Sequence, residues 1–204
     1  MRVAIMQPYF FPYIGYFQLI AAVDLFIVYD NIKYTKKGWI NRNRMLQNGN
    51  DVMFSLPLKS DSDSRNVCER ELAADFNREK LLNQLMGAYK RAPYFNQTFP
   101  LIEEIVRYED RNLFRFLHYS IIKTCKYLGI TTEIKISSEI TIDHGLKNQD
   151  KVLALCETIG ASTYVNAIGG IELYSKEIFR EKGIDLKFIQ SKQFKYAQIG
   201  RAHV

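Results

Sequence analysis

Cysteine and histidine are scarce in this sequence, with three of each among 204 residues. The cysteines are odd in number, lie far apart and have no Cys-x-x-Cys spacing, which argues against a disulfide framework and against a thiolate zinc site. The histidines are equally scattered, so we predict no metal site. These residues are Cys68, Cys125, Cys156, His118, His144 and His203.

Long apolar runs are also missing. No segment approaches the roughly 18 uninterrupted apolar residues of a membrane-spanning helix. The chain opens on a predicted strand and not on a basic stretch followed by an apolar one, so we predict no secretory leader, a cytoplasmic location and no membrane contact. Hydrophobic residues make up 47% and charged residues 25% of the chain, which is typical of a globular protein.

Basic residues exceed acidic ones, 28 against 22, which gives a formal net charge of +6. This excess favours an anionic partner and leaves open whether it is a nucleotide, a sugar diphosphate or nucleic acid. The partner that we predict is an anionic small-molecule substrate. Part of the charge is local, because five basic residues fall in one short segment that holds no acidic residue. They are Lys33, Lys36, Lys37, Arg42 and Arg44.

The first thirty residues read as a strand, an aromatic turn, a helix and a second strand. Val3 to Met6 is apolar without alternation, as in a strand covered on both faces. Gln7 and Pro8 end that strand, because proline cannot donate to a ladder. A helical pattern starts at Tyr16, and Leu25 to Tyr29 forms a second apolar run. We therefore predict two neighbouring parallel strands with the turn at their carboxyl end, where open α/β sheets bind ligands.

The remaining pattern extends this unit into an α/β fold. We predict a Rossmann-like, mostly parallel sheet with flanking helices and an α-helical insert at about 70–128, all within one domain spanning residues 1–197. Residues 31–50 are predicted as a long loop with short extended pieces. Further strands are predicted at 52–58, 131–136, 161–166 and 184–189, and helices at 77–89, 101–128 with a break near 109–112, 146–160 and 171–179. Residues 198–204, QIGRAHV, resemble a translated sequencing adapter, so we expect the natural chain to be cut near Ala197.

The opening resembles that of the nucleotidyltransferase and pantothenate synthetase superfamily, whose turn carries His-x-Gly-His. The matching residues here are Tyr13, Ile14, Gly15 and Tyr16, so both histidines are replaced by tyrosines. The resemblance implies a nucleotide as the bound cofactor or substrate. A tyrosine hydroxyl can donate a hydrogen bond to phosphate, but it cannot be cationic.

Four longer motifs are similar to those of the WbqC-like family of bacterial proteins, some of which are encoded in O-antigen loci. They are QPYFFPYIGYF at 7–17, AVDLFIVYDNIKY at 22–34, GWINRNRM at 38–45 and YVNAIGGIELY at 164–174. This resemblance covers nearly the whole chain. It implies a setting in surface-polysaccharide biosynthesis.

Candidate site residues come from the strand ends, the basic segment and the glycine pair. As catalytic candidates we take Arg42 and Lys36 as electrostatic groups and Asp30 as a base or metal carboxylate, although Asp30 could equally cap a loop. The superfamily's late serine pair, which contacts nucleotide phosphates, looks similar to Ser137 and Ser138. The predicted ligand-binding residues are Gln7, Tyr13, Gly15, Tyr16, Trp39, Asn41, Ser137, Gly169 and Gly170.

Two functional hypotheses of different class follow, and a third ranks last. The first is a transferase or ligase that uses a nucleotide-activated or nucleotide-sugar substrate in O-antigen biosynthesis. The second is a binding protein for a nucleotide or another anionic ligand, without catalysis, that has lost the two histidines. The third is nucleic-acid binding through the segment that interleaves Tyr34 and Trp39 with basic residues.

Overall fold

A computed structural model describes residues 1–191. The chain forms two compact units. The first contains Met1–Pro8, Pro12–Ile32 and the described part of Gly129–Lys192, and the second contains Tyr9–Phe11 and Lys33–Leu128. The predicted adapter-like tail at 198–204 lies outside the described residues.

The first unit is built from strands and helices. Those of the second unit are a hairpin followed by three helices. In chain order they are β1 Arg2–Met6, α1 Ile14–Ala21, β2 Leu25–Val28, β3 Arg42–Gln47, β4 Asn50–Ser55, α2 Arg78–Tyr89, α3 Phe95–Arg107, α4 Leu113–Tyr127, β5 Glu133–Ile136, α5 Asn148–Thr158, β6 Thr163–Ala167, α6 Lys176–Glu181 and β7 Asp185–Ile189.

A five-stranded sheet organises the first unit, with its strands in the order β5-β2-β1-β6-β7. All four pairings are parallel. The predicted pairing of the first two strands is confirmed, from Val3 opposite Leu25 to Met6 opposite Val28. These strands carry few polar residues because both faces of a parallel sheet are covered. The predicted α/β, Rossmann-like fold class is therefore confirmed.

The order of strands reverses at β1, which makes the gap between β1 and β6 the topological switch point of the sheet. Pairing there covers two positions, Arg2 with Thr163 and Val3 with Tyr164, whereas β1 pairs with β2 over four. The carboxyl halves of β1 and β6 thus leave the shared ladder. A separation at this point is where open α/β sheets form their ligand crevice.

Aromatic rings fill the core on one side of this sheet. The rings of Tyr164 and Phe179 stack with centroids 5.4 Å apart, and both residues are fully buried. Tyr174 packs edge-on against each of them. Burial raises the pKa of the Cys156 thiol in the same cluster to about 12 and that of Tyr164 well above its usual value.

The second unit begins with an antiparallel hairpin, β3 and β4, that the sequence prediction placed mostly in a loop. That prediction is wrong for Arg42–Gln47, and the next strand starts at Asn50 rather than at residue 52. The connection is Asn48-Gly49, with φ angles of 51° and 77°. Asn-Gly is the dipeptide that two-residue hairpins favour, because both residues tolerate positive φ.

Helices α2, α3 and α4 fall within residues 70–128, the range predicted for a helical insert. The predicted break is present, since α3 ends at Arg107 and α4 begins at Leu113. Asn112 caps α4 by accepting a hydrogen bond from the Arg115 backbone N–H at 3.0 Å.

In the first unit, the helix predicted at 171–179 starts later than predicted. A 3₁₀ helix covers Ile168–Leu173, and α6 follows Ser175, which caps it.

The buried phenols and thiol predict how stability depends on pH. Their pKa values are raised above those of the unfolded chain, about 8.5 for cysteine and 10 for tyrosine, so the folded state favours the neutral forms. This contribution is complete at neutral pH and is lost as the pH rises through the folded pKa values. We expect the free energy of unfolding to fall from about pH 9 upward.

Urea unfolding at pH 8 and pH 11 measures this fall. The variant Tyr164→Phe should show a smaller fall than the wild type, whereas Tyr94→Phe, which alters a residue that is 69% exposed, should match it. Equal falls in all three proteins would show that Tyr164 does not contribute.

Candidate functional site

Polar side chains are buried where β2 and β5 end. Asp30 follows β2 and is 3% exposed, and Ser137 follows β5 and is fully buried. Ser137 Oγ lies 2.8 Å from Asp30 Oδ1, which also accepts a hydrogen bond from the Ser138 backbone N–H at 3.0 Å. The predicted residues Asp30 and Ser137 are thus in direct contact, and Asp30 holds the turn that follows β5.

Asn31 and His144 extend this contact toward solvent. Ser137 Oγ is also 2.7 Å from Asn31 Oδ1. The amide nitrogen of Asn31 is 2.8 Å from Nδ1 of His144, whose side chain lies at the surface. Four polar side chains therefore form one continuous line of contacts. Sequence reasoning missed Asn31 and His144 because they are 113 residues apart.

Lys151 supplies a buried positive charge to the same edge. It lies in the first turn of α5 and is 4% exposed. Its Nζ donates to the backbone carbonyls of Asn31, at 3.3 Å, and His144, at 3.4 Å, and lies 5.1 Å from the centre of the Tyr29 ring. Burying an ammonium group is costly without such partners. The sequence pattern for α5 predicted an ordinary amphipathic helix and did not identify this residue.

The predicted residues that follow β1 have unequal roles. Tyr16 is 3% exposed, its ring packs edge-on against Phe26, and its hydroxyl donates to the Gln7 carbonyl at 3.0 Å. Tyr16 therefore stabilises the turn. Tyr13 is 64% exposed. Its ring lies over Gly15, where an added Cβ would overlap it.

Asn166 and the glycine pair lie at the end of β6, on the other side of the switch point. Asn166 is 5% exposed and accepts a hydrogen bond from the Ala167 backbone N–H at 2.8 Å. A Cβ on Gly170 would lie 3.2 Å from Asn166 Cγ and closer still to its amide nitrogen, whereas a Cβ on Gly169 would meet nothing within 4 Å. Gly170 thus accommodates Asn166, and Gly169 faces open space.

In the second unit, the predicted residues of the basic segment bind one another and their neighbours. Lys36 pairs with Asp63 at 2.8 Å. Arg42 donates to the carbonyls of Gly38, at 2.8 Å, and Lys37, and so closes its own loop. Asn41 also makes structural contacts: it accepts from the Tyr34 hydroxyl and donates to the Leu56 carbonyl, both at 2.8 Å.

Trp39 is the most exposed aromatic residue of this segment, at 44%. The guanidinium groups of Arg42 and Arg44 each lie 5.8 Å from its ring centre. Its carbonyl accepts a hydrogen bond from the backbone N–H of Phe10 at 3.2 Å, and Asn43 donates to the Phe10 carbonyl at 2.9 Å. The aromatic residues 9–11 and the tryptophan segment therefore meet.

Other features of the described residues define no further site. A depression of about 580 Å³ in the second unit is lined by residues such as Gln47, Asn83 and Gly87, and by none of the predicted ones. Within residues 1–191, no three acidic, cysteine or histidine side chains are grouped as metal ligands would be. In that same part of the chain no helix has the length and apolar character needed to cross a bilayer.

Comparison with known proteins identifies the family. The model of the WbqC-like protein family matches residues 7–204. The chain belongs to the WbqC-like protein family. The family prediction made from the four motifs is thus confirmed, whereas the resemblance of the opening turn to the nucleotidyltransferase superfamily stays a prediction.

A relative of this WbqC-like protein occurs in Mycobacterium tuberculosis. It is called Uncharacterized protein Rv1507c and is 28% identical over 185 residues, which cover 90% of this chain and 79% of that protein. No solved structure matches the WbqC-like chain significantly.

The glycine pair provides a test of the packing at the end of β6. We expect Gly170→Ala to lower the free energy of unfolding by about 1–3 kcal/mol, because the added methyl group must displace the buried Asn166. Gly169→Ala should change it by less than about 0.5 kcal/mol, because that position is open. Urea unfolding of both variants measures the difference. Equal effects would contradict the placement of Asn166 against Gly170.

Proposed function

We propose that this WbqC-like protein is a transferase or ligase that binds a nucleotide-activated substrate, such as a nucleotide sugar, at the carboxyl edge of the first unit's sheet. The observation that carries this proposal is the early end of the pairing between β1 and β6 at the topological switch point. Ligands of open α/β sheets bind in the crevice at such a point.

The chemistry of the residues around that edge supports an anionic, polar ligand. Gln7 follows β1, Asn166 lies near the end of β6, and both offer amide groups for hydrogen bonds. Gly169 leaves room for a close approach of backbone to ligand. Lys151 adds a positive charge in a poorly hydrated place, where attraction to a phosphate is stronger than in water.

The residues at this edge support the proposed reaction class. The line from Asp30 through Ser137 and Asn31 to His144 is suited to moving and holding a proton, and Lys151 to stabilising charge. The chain belongs to a family of which some bacterial members are encoded in O-antigen loci, and this resemblance supports surface-polysaccharide biosynthesis as the setting. From the sequence we also keep Lys36 and Arg42 as proposed electrostatic residues of the second unit.

Adenylyl transfer of the His-x-Gly-His type has less support. Tyr16 stands in place of one histidine, and its hydroxyl donates to the Gln7 carbonyl within the core of the turn. A phosphate contact by Tyr16 would require that bond to break. The tyrosine substitutions are compatible with the second hypothesis, a binding protein that keeps the nucleotide site without catalysis.

One observation favours the third hypothesis, nucleic-acid binding by the second unit. Trp39 is exposed and flanked by two guanidinium groups, an arrangement on which bases can stack. The surrounding charge is partly compensated, since Arg44 pairs with Asp51 and Lys36 with Asp63. We rank this hypothesis last for that reason.

Thermal-shift measurements with nucleotides, nucleotide sugars and acyl or aminoacyl nucleotides test the proposal. A ligand at ten times its Kd stabilises the folded state by about 1.4 kcal/mol, which raises Tm by about 3–6 °C. We expect such a shift with one nucleotide-containing class. The variants Lys151→Met and Gln7→Ala should lose most of it, because they remove the buried charge at this edge of the sheet and the amide that follows β1.

Lys147→Met serves as the matched control, because Lys147 precedes the same helix but is exposed. Arg42→Ala tests the sequence-based assignment in the second unit separately. The absence of any nucleotide response would contradict the proposal. A response to single-stranded oligonucleotides alone, lost at high salt, would favour the third hypothesis.

A further inference from the structure

The contacts of Ser137 raise a question of hydrogen placement. Its hydroxyl has one proton to donate, yet Oγ lies 2.8 Å from Asp30 Oδ1 and 2.7 Å from Asn31 Oδ1. Both neighbours, as placed, are acceptors. Two oxygens at such a distance without a proton between them repel each other, so one of the three groups must present a donor instead.

The Asn31 amide resolves this conflict when it is rotated by 180°, which exchanges its oxygen and nitrogen. The nitrogen then donates to Ser137 Oγ, and Ser137 donates its one proton to Asp30 Oδ1. The alternative is a proton on Asp30 Oδ1 that is donated to Ser137. That oxygen already accepts the Ser138 backbone N–H at 3.0 Å, which disfavours a proton there.

This rotation of the Asn31 amide determines the tautomer of His144. The Asn31 oxygen now faces Nδ1 at 2.8 Å, and an oxygen at this distance requires Nδ1 to carry the proton. In the neutral imidazole the other nitrogen, Nε2, is then the acceptor. The line of donors runs from His144 through Asn31 and Ser137 to Asp30, and it ends on a buried carboxylate.

We infer that His144 is the general base of this site and acts through Nε2. The inference rests on the proposed function and adds to it a catalytic residue and a nucleophile class, a hydroxyl or an amine. Asn31, Ser137 and Asp30 are positioning residues. They fix which nitrogen of the His144 ring carries the proton and how that ring is oriented. The orienting residue of a nucleophile–base–orienter triad has the same role.

His144 takes up the proton of the attacking nucleophile. The O–H or N–H bond of the nucleophile breaks, and its proton moves to Nε2. The electron pair released on the nucleophile forms the new bond to the electrophilic carbon of the activated substrate, and the nucleotide leaves with the electron pair of the bond that breaks. The imidazolium then returns the proton to water.

Lys151 contacts the backbone of the two residues at the solvent end of this line, Asn31 and His144. Its Nζ donates to the carbonyls of both Asn31 and His144, which ties the two loops that carry these side chains. The three residues come from the end of β2, the loop before α5 and α5 itself. A merely solvated surface histidine would need neither the buried Lys151 nor the relay through Ser137.

The tautomer of His144 can be measured by two-dimensional ¹H–¹⁵N long-range correlation NMR of the full chain, with the imidazole in its neutral form. We expect the Nδ1–H tautomer, with Nε2 unprotonated. The His144→Gln variant assigns the signals. The Nε2–H tautomer in the wild type would overturn the inference, because Nε2 could then not accept a proton.

Ser137→Ala and Ser138→Ala form a matched pair for the same measurement. Ser137→Ala removes one neutral hydrogen bond from the relay, and we expect the tautomer ratio to fall by about fivefold, the factor that such a bond is worth. Ser138→Ala should leave the ratio unchanged, since that residue contributes its backbone N–H alone. An equal fall in both would overturn the relay. If Ser137→Ala does not fold, the tautomer of His144 in the wild type still tests the inference.

The reactivity of Nε2 toward diethyl pyrocarbonate tests whether that nitrogen is an accessible base. We expect His144 to be carbethoxylated at Nε2 at least as fast as N-acetylhistidine in the same tube, by peptide mapping. No modification of His144 in the folded protein would overturn the inference. Neither the modification nor the tautomer measurement depends on a ligand. If both gave the expected result while no nucleotide class bound, the assignment of His144 would be supported and the proposed substrate class would be contradicted.

Discussion

The parallel pairing of β1 with both β2 and β6 is the constraint on which the rest of the first unit depends. Because parallel strands end on the same side, this pairing brings the residues after β1, β2, β5 and β6 to one edge. The βαβ connection through α1 and the reversal of strand order at β1 then define a single switch point. The proposed site residues of the first unit take their places from this topology.

Stability alone does not explain the residues at that edge. Asp30, Ser137, Lys151 and Asn166 are four buried polar residues of the first unit, and each lies at or just after the end of a strand or in the first turn of a helix on the same side. Buried charges are often neutral or unfavourable for folding when compared with apolar groups of the same size. Their concentration at one edge fits a site that is maintained for binding and catalysis at some expense of stability.

The sequence predicts the local elements of this protein well and their long-range contacts poorly. The apolar run Val3 to Met6, the serine pair at 137 and the break before α4 are each visible in a few neighbouring residues. The Asn48-Gly49 hairpin could also have been predicted from its turn dipeptide. By contrast, the contact of His144 with Asn31 and that of Lys151 with Asn31 span 113 and 120 residues. No periodicity or spacing along the chain indicates which loops meet.

The most direct test of this account is the free energy of unfolding of Lys151→Met, measured by urea denaturation without any ligand. If Lys151 is present for binding, an apolar side chain of similar length should leave stability unchanged within about 1 kcal/mol or raise it. A loss of about 3 kcal/mol or more would show that the buried ammonium group is needed for folding. It would contradict the view that this edge of the sheet is kept polar for a substrate.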